Sequence, residues 1–441
     1  MAERYVIRGG RPLRGNVTVS GSKNAALYAV AAVLLTAEPV TLRNVPRIAD
    51  IAEMAEILRA VGTHVQVEDN GETVHYHTPE VTSVAPPADL VTKLRASFLV
   101  MGALLGRTGE AECPPPGGDV IGSRPLDVHF VGFKALGATV ERREHTYRVQ
   151  ATRLRGDRIF FDYPSVLGTV NVMFAAVLAD GVTTIINAAP EPEVEMAANM
   201  LMAMGAKIRG HGTPTVEIEG VPTLHGVDFS IIPDRLEAGT YLLAGCATHG
   251  DVRVTNAVPR HLDSLVAKLR EMGMDVTAEE ASGIRARSTG ELRATNVQAV
   301  PYPGFATDLH PPMAAALTQA AGMSLVHERV YDNRTLYAAQ LRKLGARIIV
   351  GGDAATPEDL AELGRMDAGI RIGSGSVIIE GPAHLVGTTV RALDIRAGAA
   401  VVVAGLAAEG ETVIEDIGHL DRGYADLQAR LAALGAEIQR V

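Results

Sequence analysis

Hydrophobic and polar positions switch from a helical period to a strict alternation at six places along the chain. AVGTHV, ALGATV, AMGAKI, EMGMDV, KLGARI and ALGAEI each close a helix-period stretch and open an alternating one. Their glycines are Gly62, Gly137, Gly205, Gly273, Gly345 and Gly435, at intervals of 75, 68, 68, 72 and 90 residues. Glycine at such a junction suits a helix C-terminus, where a left-handed residue turns the chain into a strand. Ahead of most copies stand β-branched runs: EPVTLRNV, GVTTIINA, GDVRVTNA, GMSLVHER and GETVIEDI. These read as strands leading through a loop into a helix.

Each repeat also carries an Ala-rich apolar stretch. They are SKNAALYAVAAVLLT, LRASFLVMGALLG, SVLGTVNVMFAAVLA, DRLEAGTYLLAGCAT, TDLHPPMAAALTQAA and DIRAGAAVVVAGLAA. Helices that are apolar all round are buried on every side, so they need a shell of sheet and amphipathic helix around them. Six such repeats divide most naturally into two α/β domains of three. The polar stretch Gly226–Asp234 is the expected boundary. It makes residues 22–230 a first domain, with a Pro/Gly-rich loop at 114–125. Residues 231–441, joined by the N-terminal strand within 1–21, make the second.

Composition narrows the class. Of 441 residues, 47% are hydrophobic and 21% charged, which fits a globular chain with sizeable cores. A net charge of −10 leaves no basic excess for non-specific nucleic-acid binding. The apolar runs around Ala25–Leu35 and Ala397–Ala408 are too short to span a bilayer, and the first twenty residues lack a signal-peptide core. A soluble cytoplasmic protein is expected. Cys113 and Cys246 fit neither a disulfide framework nor a CxxC or zinc spacing. The histidines form no HxxxH or HExxH pair, and no glycine run matches a P-loop or a GxGxxG turn, so no metal or nucleotide-fold site is expected.

The candidate chemistry sits where the buried helices begin. Lys23 and Asn24 open the first, Arg95 the second and Ser165 the third; Asp234 with Arg235, Asp308, and Asp394 with Arg396 open the others. Serine and aspartate there cap free N–H groups. A cation there opposes the helix dipole and asks for a compensating anion. Cations and helix N–H groups together could hold a phosphate or carboxylate; the alternative is pairing with a nearby carboxylate such as Asp234 or Asp394. Three loops add charge. PPPGGDVIGSRP reads as a mobile lid with Asp119 and Arg124, VYDNRTL carries Arg334, and HLDRGY carries Arg422.

Taken in order, several strings resemble the enolpyruvyl transferases. They are GSKNAAL at Gly21–Leu27, PGG-x-x-IG-x-RP-x-D at Pro116–Asp127, TD at Thr307–Asp308, NR at Asn333–Arg334, D-x-R at Asp394–Arg396 and DRGY at Asp421–Tyr424. The likeness runs from Tyr5 to Arg440. It implies an inside-out α/β barrel of two domains closing over a cleft. It also implies transfer of the enolpyruvyl group of phosphoenolpyruvate to the 3-hydroxyl of UDP-N-acetylglucosamine, through a tetrahedral ketal, with release of phosphate. No metal, organic cofactor, nucleic acid, membrane insertion or obligate protein partner is implied.

By the same resemblance, Lys23, Arg124 and Arg422 hold the phosphate of phosphoenolpyruvate, with Asn24 beside them, and Arg334 and Arg396 hold its carboxylate. Asp308 is the base for the sugar hydroxyl, and Asp394 supports proton traffic beside Lys23. The sugar-nucleotide site is lined by Asn24, Arg95, Arg124, Pro125, Leu126, Asp127, Val128, Ser165, Val166, Asp308 and Val330. At the lid this chain has Asp119 where most members carry cysteine, the thiol that epoxides such as fosfomycin alkylate, so Asp119 is the catalytic candidate there and resistance is expected. Tyr163 and Leu167 stand where lysine and glycine are expected, and LHPP follows Asp308 where MQAQ is usual. Two alternatives therefore remain: another acceptor, such as a UMP-like nucleotide or shikimate 3-phosphate, or a non-catalytic UDP-sugar-binding paralogue.

Overall fold

The computed structural model describes residues 3–119, 122, 125–279, 283–352 and 375–441. The chain forms two compact units. One is built from residues 21–119 and 125–232, the other from 3–20 and 233–441. Among the described residues the strands make six sheets, three in each unit, so that each repeat contributes one sheet and one buried helix.

The buried helices are α1 (Lys23–Ala32), α2 (Val100–Thr108), α3 (Val166–Ala176), α4 (Arg235–Ala247), α5 (His310–Leu317) and α6 (Ile395–Ala407). Almost every side chain of α3, α4 and α6 is buried, which is why no polar stripe marks them in the sequence. Small residues permit their close approach. A Cβ at Gly102 of α2 would lie 2.1 Å from the Asn171 carbonyl of α3, and one at Gly239 of α4 2.7 Å from the Leu309 side chain. Within the second unit, α4, α5 and α6 pack on one another around one hydrophobic core. Helices lie inside and sheets outside: the inside-out arrangement.

All six junction glycines adopt left-handed backbone, with φ from +90° to +109°. Each follows an outer helix and leads into a strand, as at Ala49–Ala60, Gly62 and His64–Val67. There a side chain would be strained, so the repeat motif records a backbone requirement. Three strands end on a left-handed asparagine. Asn44 donates to Ile231 O, Asn187 to Phe161 O and Asn256 to Val19 O, at 2.8 Å each. Asparagine tolerates this conformation and ties the strand end to its neighbour.

The N-terminal segment supplies two strands to the second unit. Tyr5–Arg8 lies antiparallel between Glu411–Glu415 and Glu437–Arg440. Arg14–Thr18 runs parallel to Asp251–Thr255. Ser20 is then pinned by the buried Glu237 of α4, which accepts from its N–H at 3.0 Å and its hydroxyl at 2.8 Å. Among the described residues no helix is long and apolar enough to cross a membrane.

Candidate active site

In the unit of residues 233–441, α6 begins at a buried aspartate. Asp394 Oδ1 accepts from the N–H groups of Arg396 at 2.7 Å and Ala397 at 2.9 Å. Asp234 does the same for α4, accepting from Leu236 and Glu237. Each carboxylate thus caps its own helix through Oδ1, and each also helps to hold a nearby cation charged, Asp394 for Arg334 and Asp234 for Arg396. Asp308 departs from this pattern. It lies in the 3₁₀ turn Thr307–Leu309 before α5, where no side chain caps the helix. Instead its Oδ1 lies 2.5 Å from Arg334 Nη2 and its Oδ2 3.1 Å from Arg396 Nε.

Both guanidiniums are buried, with side chains 2% and 5% exposed, whereas Asp308 is 25% exposed. Burial opposes their charge. For Arg334 it is outweighed by Asp308 and Asp394, and for Arg396 by Tyr424 and Asp308, so both are held charged above the ordinary arginine range. The Tyr424 ring lies 5.3 Å from the Arg396 guanidinium carbon, and the Tyr331 ring 5.7 Å from that of Arg334. Despite this, Arg334 Nε and Arg396 Nη1 are buried without a hydrogen-bond partner among the described residues. Val330 is half-buried at the start of the loop to Arg334, and Arg422, also half-buried, ends the turn helix Gly418–Asp421.

In the unit of residues 21–232, Ser22 caps α1 and Lys23 is its first residue. The Lys23 ammonium is buried and lies 2.7 Å from Asp50 Oδ2, in the first turn of the helix Ala49–Ala60. Asp50 was not singled out from the sequence, since a carboxylate opening an amphipathic helix is ordinary. Asn24 beside it is half-buried. Arg95 begins the 3₁₀ segment Arg95–Leu99 ahead of α2. The Pro/Gly loop passes directly over it: a Cβ at Gly117 would lie 1.5 Å from Thr92 O, and one at Gly118 3.1 Å from Arg95 Cβ. At Gly117 and Gly118 the described start of the loop is thus packed against Thr92 and Arg95. Asp119 is half-buried. Arg124 lies outside the described residues.

Ser165 caps α3 by accepting from Gly168 N at 3.1 Å, and Val166 follows it. Val128 Cγ1 meets this turn, 2.7 Å from where a Cβ at Gly168 would lie. Pro125, Leu126 and Asp127 lead into the helix Asp127–Ala135 that carries Val128. What holds these pieces together is Asn171 of α3, which the sequence reading missed. Its Oδ1 accepts from Gly102 N at 2.7 Å, and its Nδ2 donates to Phe98 O at 2.9 Å and His129 Nδ1 at 3.0 Å. Burial, with Arg95 nearby, pushes the His129 imidazole down to about 3, so it stays neutral and accepts. The signal was a lone amide within the apolar run VLGTVNVMFAA.

Both cysteines are buried; desolvation pushes the Cys246 thiol up to about 12 and raises that of Cys113 further. A groove of about 830 Å³, lined by His64, His75, His77 and Arg59 among others, contains none of the predicted site residues. No group of metal-ligating side chains occurs there or elsewhere among the described residues.

Comparison with known proteins covers essentially the whole chain. The family model for EPSP synthase (3-phosphoshikimate 1-carboxyvinyltransferase) matches residues 7–431. UDP-N-acetylglucosamine 1-carboxyvinyltransferase 2 of Carboxydothermus hydrogenoformans is 46% identical over 440 residues, spanning 100% of this chain and 99% of its own. The enzyme of Halothermothrix orenii with that name is 44% identical, covering 99% of each chain. Among solved structures, the enolpyruvyl transferase NikO from Streptomyces tendae superposes with a TM-score of 0.85 at 28% identity, over 100% of this chain and 99% of that one. EPSP synthase from Acinetobacter baumannii, at 16% identity over 100% of both chains, shares the fold with a TM-score of 0.73. This chain therefore belongs to the EPSP synthase family, the enolpyruvyl transferases.

Proposed function

We propose that the protein transfers the enolpyruvyl group of phosphoenolpyruvate to the 3-hydroxyl of UDP-N-acetylglucosamine, a step of peptidoglycan precursor synthesis, as a cytoplasmic enzyme. The observation that carries this reading is the pair of buried guanidiniums on Asp308. Arg334 Nε and Arg396 Nη1, buried and without a hydrogen-bond partner among the described residues, are donors for one more anion. The carboxylate of phosphoenolpyruvate has that charge and geometry. Full-length relatives that carry this activity in their names support the choice of acceptor.

In the proposed reaction Asp308 takes the proton of the attacking hydroxyl while C3 of phosphoenolpyruvate is protonated. The sugar oxygen bonds to C2 and gives a tetrahedral phosphate ketal. Loss of inorganic phosphate from C2 and of a proton from C3 then restores the vinyl group as an enol ether. Arg334 and Arg396 hold the carboxylate, so C2 is presented in one orientation. Lys23, supported by Asp50, meets the phosphate with Arg124 and Arg422, and Asn24 borders the same group. Arg95, Pro125 to Val128, Ser165, Val166 and Val330 receive the sugar nucleotide. Asp119 acts where a thiol would otherwise stand, which implies resistance to epoxides such as fosfomycin.

The test is phosphate release from phosphoenolpyruvate with a panel of acceptors. Release dependent on UDP-N-acetylglucosamine is expected. Turnover with UMP or shikimate 3-phosphate and none with the UDP-sugar would reassign the acceptor. Binding of the UDP-sugar without release for any acceptor would make the protein a non-catalytic binder.

A further inference from the structure

Beside the Asp308 cluster, four donors converge on one buried carboxylate that none of the roles above uses. Glu328 ends the strand Gly322–Glu328, and its side chain and that of His310 are fully buried. Its Oε2 accepts from Thr307 Oγ1 at 2.8 Å and lies 2.9 Å from His310 Nδ1. Its Oε1 accepts from the N–H groups of Val330 at 2.7 Å and Tyr331 at 3.3 Å. His310 Nε2 lies 2.8 Å from the Tyr337 hydroxyl. Tyr337, itself buried, opens the helix Tyr337–Lys343 beyond the loop.

A carboxylate can only accept, so Glu328 dictates the direction of these bonds: Thr307 donates, and His310 carries a proton on Nδ1. Burial drives the Glu328 carboxyl upward, but the bonds from His310, Val330 N–H and Thr307 hold it below its ordinary value. Such a group is an expensive way to fill a core, and apolar packing of the same volume commonly serves stability as well or better. What apolar packing cannot do is fix two backbone segments to one another. On one side of Glu328 is Thr307, next to Asp308. On the other are Val330 and Tyr331, which begin the loop ending at Arg334.

We infer that Glu328 is a positioning residue for the reaction, locking the turn that carries Asp308 to the loop that carries Arg334, with His310 and Tyr337 holding it in place. The inference rests on the roles proposed above for Asp308 and Arg334. Displacements of about 1 Å at such groups can cost about 10²-fold in rate. Glu328→Gln offers one oxygen and one NH₂ to four donors, so one of the two segments must shift.

Steady-state phosphate release, with both substrates varied, tests this against active wild type. Glu328→Gln should lower kcat by about 10-fold or more and raise KM for phosphoenolpyruvate, leaving KM for the UDP-sugar within about threefold. A merely less folded variant would lose kcat with both KM values intact. A second pair guards against misfolding. His310→Gln keeps a donor for Glu328 and an acceptor for Tyr337, whereas His310→Leu keeps neither. The glutamine variant should stay near wild type and the leucine variant should reproduce the split. Wild-type kcat and KM values in Glu328→Gln, or equal behaviour of the two His310 variants, would overturn the inference while the function stands. Wild type that releases no phosphate would remove the function and this inference together.

Discussion

Asp308→Ala removes the one described carboxylate that bridges Arg334 and Arg396, and its consequences can be worked from the geometry. The two guanidiniums are nearly inaccessible and lose contacts at 2.5 and 3.1 Å. Deleting one partner of a buried ion pair costs about 3–5 kcal/mol. Asp308 is a quarter exposed and Asp394 still faces Arg334, so a cost at or just below the bottom of that range, about 2–3 kcal/mol, is expected. For a unit of this size that lowers the melting temperature by roughly 4–10 °C. The orphaned cations should then welcome an external anion. Saturating phosphoenolpyruvate, at about 100 times its Kd, adds about 2.7 kcal/mol to either protein, but the variant should reach saturation at a lower concentration. Turnover should nevertheless fall by about 10² or more, since the proposed base is gone. Thermal denaturation with and without phosphoenolpyruvate, paired with a phosphate-release assay, reads both effects. Near-normal turnover would refute the role of base. An unchanged melting temperature, with no sharper response to phosphoenolpyruvate, would refute the electrostatic account of the cluster.

Asp50→Asn leaves the buried Lys23 ammonium without its carboxylate, so stability should fall by about 3 kcal/mol in denaturant titrations and turnover by about tenfold; wild-type values for both would make the pair incidental. His129 is held neutral at about 3 against 6.5 unfolded, so the stability it contributes is complete above pH 6.5 and is lost progressively as pH falls toward 3. Chemical denaturation should show about 2 kcal/mol lost between pH 6.5 and 5, and His129→Gln, which still accepts from Asn171, should flatten that slope. Fosfomycin should leave wild type active and unmodified, because Cys113 is buried and its thiol is kept protonated. Asp119→Cys should become sensitive and gain the inhibitor's mass; rapid modification of wild type at Cys113 would show that the buried thiol opens.

The six junction glycines and the six apolar helices were legible because each reflects a local rule: a left-handed turn in one case, burial on every side in the other. The helix N-termini were legible as positions of charge but not as pairings. Asp234 and Asp394 stand next to arginines in sequence, yet each caps its own helix, because the free N–H groups of that first turn need an acceptor. The partners that matter come from far along the chain: Arg396 reaches Asp308 across 88 positions, and Glu328 reaches His310 across 18. Asn171 escaped notice for the same reason, since one amide in an apolar helix declares its three partners only once three other segments pack around it.

That contrast also separates the proposed anion site from a structural ion pair. Arg430 and Glu237 form a buried pair too, but there the carboxylate is completed by Ser20 and Tyr241, and neither side chain leaves a buried polar atom unpaired among the described residues. At Asp308 the carboxylate is shared between two arginines, and each keeps one buried donor in reserve. A cluster selected only for stability would gain by filling those donors, at about 1–3 kcal/mol for each unsatisfied group. Under the proposed function, that standing cost to the fold is offset whenever a substrate anion binds.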